Sequence, residues 1–256
     1  MTVLVTGAAG SVGRALLEWI PDAVATDLTG CPVPMDVTDR FRTADVLADH
    51  RPRLVYHLAG AKHAFQGELH PEEAVRVNIA GTSNILRYAA RTNATVIVAS
   101  TCKACDPETA YGASKLIAER LALNAGARVV RYYNIPESDG NVFRLWEQLD
   151  EPEPIPFTDC WRYFMPIRKA VALTLAAAAL PPGRYTLDPG KPRHMRDVAR
   201  ELYPARRLVE IPRRRGDRFM EPLKALCEQL TPAGGGVYQI TSPYDPAIAG
   251  RVEQAA

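Results

Sequence analysis

No stretch of this chain is apolar for long enough to cross a bilayer. The longest, Ala170 to Leu180, falls well short of the ~20 residues that a spanning helix needs and reads as a buried helix instead. Met1 leads straight into a strand, without the charged and then apolar pattern of a secretion leader, so a cytoplasmic location and no membrane partner are expected. Cysteines are few: five, an odd number at irregular spacing, which makes no disulfide framework and leaves reduced thiols as the expectation. Cys102 and Cys105 form one C-x-x-C, but no second such pair and no paired histidines complete a zinc set, so no metal is expected. Neither sign of charge dominates, since 31 basic residues face 29 acidic ones, and the chain has no field with which to gather nucleic acid. What is present is 256 residues, 47% of them hydrophobic, enough to bury a full core in one compact unit or a main domain with a small satellite.

The apolar residues recur in a regular order. Thr2 to Thr6 is a β-rich run, followed by a glycine turn and the helical spacing of Val12, Ala15, Leu16 and Ile20, stopped by Pro21. Further strand candidates follow at Ala23 to Thr26, Leu54 to Leu58, Thr95 to Ala99 and Arg128 to Tyr132, each set off by turn or helix signals. Repeated βα units require a parallel sheet covered by helices on both faces. The predicted fold is therefore α/β, a Rossmann-type doubly wound parallel sheet over residues 1–135. After Ile135, Pro136, Pro152, Pro154 and Pro156 punctuate a loop-rich stretch, and helices predicted at Arg168 to Leu180, His194 to Leu202 and Asp217 to Leu230 alternate with short strands. Residues 136–256 read as a small C-terminal substrate-binding region, partly returning to the main sheet.

The first turn, Thr6-Gly7-Ala8-Ala9-Gly10-Ser11-Val12-Gly13, is a G-x-x-G-x-x-G that follows a strand and opens a helix. Glycines let the backbone turn tightly, approach a pyrophosphate and pack helix on strand, while the helix start offers N–H groups to the anion. Gly7, Gly10, Ser11, Val12 and Gly13 are thus candidate dinucleotide contacts. Asp27 lies 20 residues after Gly7 at the end of the second strand, where a carboxylate can accept hydrogen bonds from an adenosine ribose. Leu28, not an arginine, follows it; a 2′-phosphate would be repelled, so NAD is expected ahead of NADP. Asp36 and Val37 read either as an adenine contact or as a helix N-cap.

Tyr111 and Lys115 stand four apart and share one face of a helix. An ammonium beside a phenol contributes on the order of 4 kcal/mol at an effective dielectric of about 20, roughly three pKa units, enough to let Tyr111 take a hydroxyl proton as hydride leaves the carbon. Ser100 and Thr101 end the strand about ten residues earlier and would aim hydroxyls at the same oxygen. His57, at a strand end, reads as structural.

Several segments in order resemble the polysaccharide-biosynthesis branch of the extended short-chain dehydrogenases, whose members include UDP-N-acetylhexosamine 4,6-dehydratases and related epimerases. Tyr56-His57-Leu58-Ala59-Gly60-Ala61-Lys62-His63 is similar to that branch's H-x-A-A-x-K-H, followed by Glu68, Pro71, Glu72, Glu73 and Asn78. Ser100-Thr101-Cys102-Lys103-Ala104 resembles its S-T-D-K-A, Arg131 to Asn134 its R-x-G-N, Arg162-Tyr163-Phe164-Met165 its R-F/Y-F-M, and Arg214-Arg215-Gly216-Asp217 to Glu221 its R-P-G-E-K-x-x-E.

The resemblance implies an NAD-dependent nucleotide-sugar dehydratase working through a transient C4 ketone, with a UDP-N-acetylhexosamine as the expected substrate. Tyr111, Lys115 and Thr101 would oxidise C4, Lys103 would remove the C5 proton, and the residue at position 102 would protonate the departing C6 hydroxyl. That residue is Cys102 where the family has aspartate. Either the thiol, protonated at pH 7 without tuning, serves as the acid, with a 5,6-alkene as one outcome, or Cys102 is merely small and the enzyme is a 4-epimerase. A non-catalytic NAD-binding regulator would not need Tyr111, Lys115 and Thr101. The resemblance further implies cofactor contacts at Leu58, Ala59, Gly60 and Asn78, substrate contacts at Lys62, Asn134, Asn141 and Glu221, diphosphate contacts at Arg162 and Arg214, and a homodimer. Arg213 to Arg215 could equally be a solvated charge run.

Overall fold

The computed structural model describes residues 1–246. The last part of the region expected to bind substrate, residues 247–256, lies outside the described residues. The chain begins β1 (Val3–Thr6), α1 (Ser11–Leu17), β2 (Val24–Asp27), β3 (Val33–Pro34), α2 (Arg40–His50) and β4 (Leu54–His57). Two short helices, α3 (Ala64–Leu69) and α4 (Pro71–Ala74), lead through a π-helix at Val75–Gly81 into α5 (Thr82–Arg91). Then come β5 (Thr95–Thr101), a 3₁₀ turn at Cys102–Ala104, α6 (Ala110–Asn124) and β6 (Arg128–Tyr132). The remainder comprises α7 (Val142–Glu147), β7 (Ile155–Phe157), β8 (Trp161–Arg162), α8 (Ile167–Ala177), β9 (Gly183–Leu187), β10 (Arg193–His194), α9 (Met195–Leu202), β11 (Leu208–Glu210), β12 (Gln229–Gly234) and β13 (Val237–Thr241).

Successive strand residues point to opposite faces, and this alternation builds two cores. Leu4, Val55, Val96, Val98 and Val129 face one side and pack on Val46 and Leu47 of α2, Ile85 and Leu86 of α5 and Ala122 of α6. Their neighbours Val5, Tyr56, Ile97 and Val130 face the other side, against Leu16 of α1 and Ala170, Val171, Leu173 and Ala177 of α8. The nine-stranded sheet runs β12-β13-β9-β6-β5-β4-β1-β2-β3, parallel from β3 through β9 and antiparallel at β13 and β12. Its order reverses between β1 and β4, so connections leave in opposite directions there and a crevice opens beyond the strand ends. The predicted doubly wound α/β fold is the fold of the chain. A third cluster, Trp146, Ile155, Phe157, Cys160, Met195 and Val198, anchors the loop-rich part. No helix among the described residues is long and apolar enough to cross a membrane.

The helix predicted over Asp217 to Leu230 is not there. Gly216 has φ +89, and Pro222 brings no N–H to a helical ladder. More decisively, Glu221 and Glu228 are drawn into the interior by cations on other elements, and the N–H of Ala225 donates to Glu228 rather than to a helical carbonyl. Leu226, which a helix would have had to bury, is 95% exposed. Helix α8 stops at Ala177, three residues before its predicted end, and β5 runs on to Thr101.

Candidate active site

A cavity of about 650 Å³ occupies the crevice. Its floor is the glycine turn. Gly7 has φ +68, and a Cβ there would lie 2.5 Å from the nitrogen of Ala59; at Gly13 it would lie 2.3 Å from the carbonyl oxygen of Gly7. Only glycine fits either position. No side chain caps α1, so the first-turn N–H groups behind Ser11, Val12 and Gly13 remain available at the cavity wall. Asp27 borders the cavity with its carboxylate already oriented by the N–H groups of Ala9 (3.0 Å) and Leu28 (2.7 Å). Val37 and Asp36 border it too, as do Leu58, Ala59 and Gly60.

Asp36 is not a helix cap: Asp39 caps α2, accepting from the N–H groups of Phe41 and Arg42, while Asp36 accepts from Thr38 and sits 3.6 Å from Arg76. Asn78 lies behind the wall, on the π-helix. Its amide donates to Ala61 and to Ser114, and its Oδ1 is buried without a partner, 3.0 Å from where a Cβ on Gly60 would be.

At the other end of the cavity stand Thr101, Lys103, Tyr111 and Lys115. Thr109 caps α6 by accepting from Gly112, Glu68 accepts from the N–H of Ala110, and Tyr111 is thereby fixed on the first turn. Lys115 donates to the carbonyl of Ala99 on β5 (2.7 Å). Burial brings its pKa down to about 8, with the Glu119 carboxylate opposing. The expectation that Lys115 depresses Tyr111 needs correction: burial pushes Tyr111 up to about 12, and the groups pulling it down are the Lys103 ammonium and the Thr101 hydroxyl. His57 is structural as read, bridging Thr6 (2.7 Å) and Thr82 (3.0 Å); burial, helped by the Lys115 charge, lowers its pKa to about 3.

Lys103 and Cys102 differ sharply. The Lys103 ammonium borders the cavity with its side chain 24% exposed, held 2.7 Å from Glu221 and 3.1 Å from the amide oxygen of Asn134. Burial favours a neutral amine, but the Glu221 carboxylate overrides it and holds Lys103 above the ordinary lysine value. Cys102 does not border the cavity. Its thiol is wholly buried, donates to Glu221 at 3.2 Å, and is pushed up by burial and then by that carboxylate. Glu221 also accepts from Asn134 (2.7 Å) and lies 3.4 Å from Arg162. Against its burial, Lys103 and Arg162 hold Glu221 ionised, with a pKa of about 2.

Of the expected substrate contacts, Lys62, Asn134 and Asn141 border the cavity, and Asn141 also caps α7. Glu221, Arg162 and Arg214 do not. Glu221 is buried under Lys103; Arg162 spends its guanidinium on Glu221 and on the carbonyls of Trp161 and Arg218; Arg214 is exposed, its backbone N–H tied to Asp217. Asp139 was not singled out by any motif. Its carboxylate accepts from the Ser11 hydroxyl (3.0 Å) and Arg14 (2.7 Å), and its carbonyl accepts from Lys62 (2.9 Å), so the loop after β6 is strapped across to the glycine turn. Only long-range contacts reveal it, and no local spacing signals them.

Solved structures share this architecture. Pen from Bacillus thuringiensis superposes with a TM-score of 0.82 at 24% identity, covering 95% of this chain and 87% of that one. MoeE5 in complex with UDP-glucuronic acid and NAD gives 0.76 at 23% identity, covering 88% and 89%. In sequence, the chain is 32% identical to the probable polysaccharide biosynthesis protein EpsC of Bacillus subtilis (strain 168) over 78% of this chain and 40% of that protein. It is 33% identical to the capsular polysaccharide biosynthesis protein CapD of Staphylococcus aureus, with the same coverage, so it spans about 40% of the length of these relatives. A UDP-glucose 4-epimerase of Rickettsia bellii is 30% identical over 69% of this chain and 62% of the epimerase. Residues 23–231, from β2 into β12 and so including Tyr111, Lys103 and Glu221, match the family described as polysaccharide biosynthesis protein, and to that family the chain belongs.

Proposed function

We propose that the chain oxidises the C4 hydroxyl of a UDP-linked hexose or N-acetylhexosamine and then reduces the ketone from its other face, a nucleotide-sugar 4-epimerase cycle. The reading rests on one observation: Thr101, Tyr111 and Lys115 border the same cavity as the glycine turn, whereas the Cys102 thiol, the acid that dehydration would use, is buried and directed at Glu221. The curated relatives named UDP-glucose 4-epimerase, and MoeE5 with its UDP-sugar and NAD, support the substrate class.

The residues present fit a nicotinamide dinucleotide. Gly7 and Gly13 leave a cradle that any Cβ would fill, Asp27 offers a carboxylate to a ribose and disfavours a 2′-phosphate, and the unpartnered Oδ1 of Asn78 is an acceptor awaiting a donor. Bound there, the dinucleotide supplies a reversible hydride acceptor. Tyr111 takes the C4 hydroxyl proton and later returns it, Thr101 hydrogen-bonds to the phenol oxygen, and the Lys103 ammonium favours the phenolate. Lys62, Asn134 and Asn141 meet the sugar nucleotide, with Lys62 a cation at the cavity wall for its diphosphate. Residues after 135 serve as the substrate-binding part. A homodimer through the outer face of α6, where Ile117 is left exposed, belongs to the same reading.

A second reading keeps one supporting fact. Lys103 reaches the cavity, so removal of the C5 proton and dehydration would have a base at hand. Incubating the protein with NAD and UDP-glucose or UDP-N-acetylglucosamine decides between them. An unchanged mass with the C4 epimer formed is the expected result; loss of one water installs the dehydratase, and no turnover on either sugar removes the enzymatic reading for these substrates.

A further inference from the structure

We propose that Glu221 is a positioning residue that holds Lys103 as a fixed cation and so decides the fate of the C4 ketone. The inference rests on the C4-oxidation reading for its biological meaning, but its geometry stands alone. A carboxylate only 1% exposed is engaged from four directions: Lys103 at 2.7 Å, Asn134 at 2.7 Å, Cys102 at 3.2 Å and Arg162 at 3.4 Å. The four groups come from three separate parts of the fold. Cys102 and Lys103 lie on the turn after β5, Asn134 follows β6, Arg162 is on β8, and Glu221 arrives on the loop that begins at Gly216. Tyr111 of α6 also acts on Lys103.

The consequence concerns one proton. A C4 ketone acidifies the C5–H bond, and a neutral amine at Lys103 could take that proton while the C–H electron pair moves onto the C4 oxygen as an enolate. An ammonium cannot. With Glu221 ionised beside it, Lys103 has no vacancy for the C5 proton, and the ketone waits for reduction at C4 instead of losing its C6 hydroxyl. Lys103 then donates a hydrogen bond to the substrate. Cys102 is a proton donor to Glu221, not to the sugar, which makes the departure from aspartate at position 102 part of the same arrangement: a thiol leaves Glu221 charged, whereas a second carboxylate 3.2 Å away would share its proton.

The test uses a UDP-4-keto-6-deoxyhexose in D₂O, a probe that already carries the ketone and needs no hydride transfer. Deuterium entering C5 is read by NMR and mass spectrometry. Wild-type protein should exchange C5 slowly, and E221Q, which keeps the shape and the hydrogen bonds to Asn134 while removing the charge, should exchange it about tenfold faster or more, as a lysine freed of one close carboxylate gains neutral amine. Equal or slower exchange in a folded E221Q overturns the proposal. Should that variant fail to fold, the ionisation of Lys103 in wild-type protein, followed through a ¹³C-methyl label on its nitrogen, decides the same question: titration above the ordinary 10.5 supports the proposal, and titration at or below 10.5 overturns it. Failure of the epimerase reading appears separately, as absence of the C4 epimer in the NAD assay while both of these outcomes hold.

Discussion

Tyr111 is a phenol in surroundings that resist its ionisation, since burial outweighs the Lys103 ammonium and the Thr101 hydroxyl and leaves it at about 12. Catalysis by it therefore depends on the Lys103 ammonium and the Thr101 hydroxyl that pull it down, and on charge brought close at the moment of reaction. Tyr111→Phe should lower turnover roughly 100- to 10,000-fold while leaving dinucleotide affinity intact, checked by steady-state kinetics beside a fluorescence titration of NAD. Because burial brings Lys115 down to about 8, the cavity wall loses that positive charge and a hydrogen-bond donor proton as pH rises through this value, and activity should fall with it, read from a pH–rate profile. The Tyr111–Lys115 pair and the glycine turn are legible in the sequence because each is a local spacing on one turn or one helix face. The pairing of Lys103 with Glu221 is not, because the two residues meet only when a distant loop folds back; seen in isolation, Lys103 looks like a base and Glu221 like a pocket residue.

At the level of single elements, local chemistry predicts starts better than ends. Helix α2 begins where Asp39 accepts from Phe41 and Arg42, and ends at Arg51, held at φ 42 ahead of Pro52, which disfavours a helical residue before it. Asp39→Ala should cost about 1 kcal/mol, measured by urea denaturation, with no change in the cavity's chemistry, since the capping carboxylate faces solvent. The strands were legible for a different reason: Val96, Ile97 and Val98 alternate between two cores, and that period survives any loop rearrangement. The helix predicted at Asp217 to Leu230 failed because its acidic residues answer to Lys103, Arg131 and Arg184 instead of to solvent, a demand that no window of that segment contains.

Across the whole molecule, the sheet is tied together by a buried set of charges. Arg131 of β6 makes paired hydrogen bonds to Glu119 of α6 and to Glu228, and Arg184 of β9 reaches Glu119, Glu228 and Asp245. Arg131→Ala should destabilise the fold by roughly 3 to 5 kcal/mol, because two buried carboxylates each lose one of their two arginine partners; denaturant unfolding measures it. The carboxylates Glu119, Glu221 and Glu228 are all held below the ordinary value of 4.5, Glu221 at about 2. Groups whose folded pKa is depressed stabilise above their unfolded pKa, so thermal stability should drop as pH falls from 4.5 towards 2, with His57 adding a loss that begins below 6.5 and runs to about 3. Differential scanning calorimetry against pH would show it.

Along the chain, the ion pairs that close on residues 221 to 245 also have a direction. Lys103, Arg131, Arg162 and Arg184 are all translated before residues 221, 228 and 245, which supply Glu221, Glu228 and Asp245. A ribosome making this chain emits these four cations before Glu221, Glu228 and Asp245, with Glu119 alone preceding Arg131 and Arg184, so a product cut short ahead of residue 221 keeps its glycine turn and its phenol but leaves Lys103 and Arg162 without their carboxylate, and a protease is offered an unfinished sheet instead of a half-working enzyme.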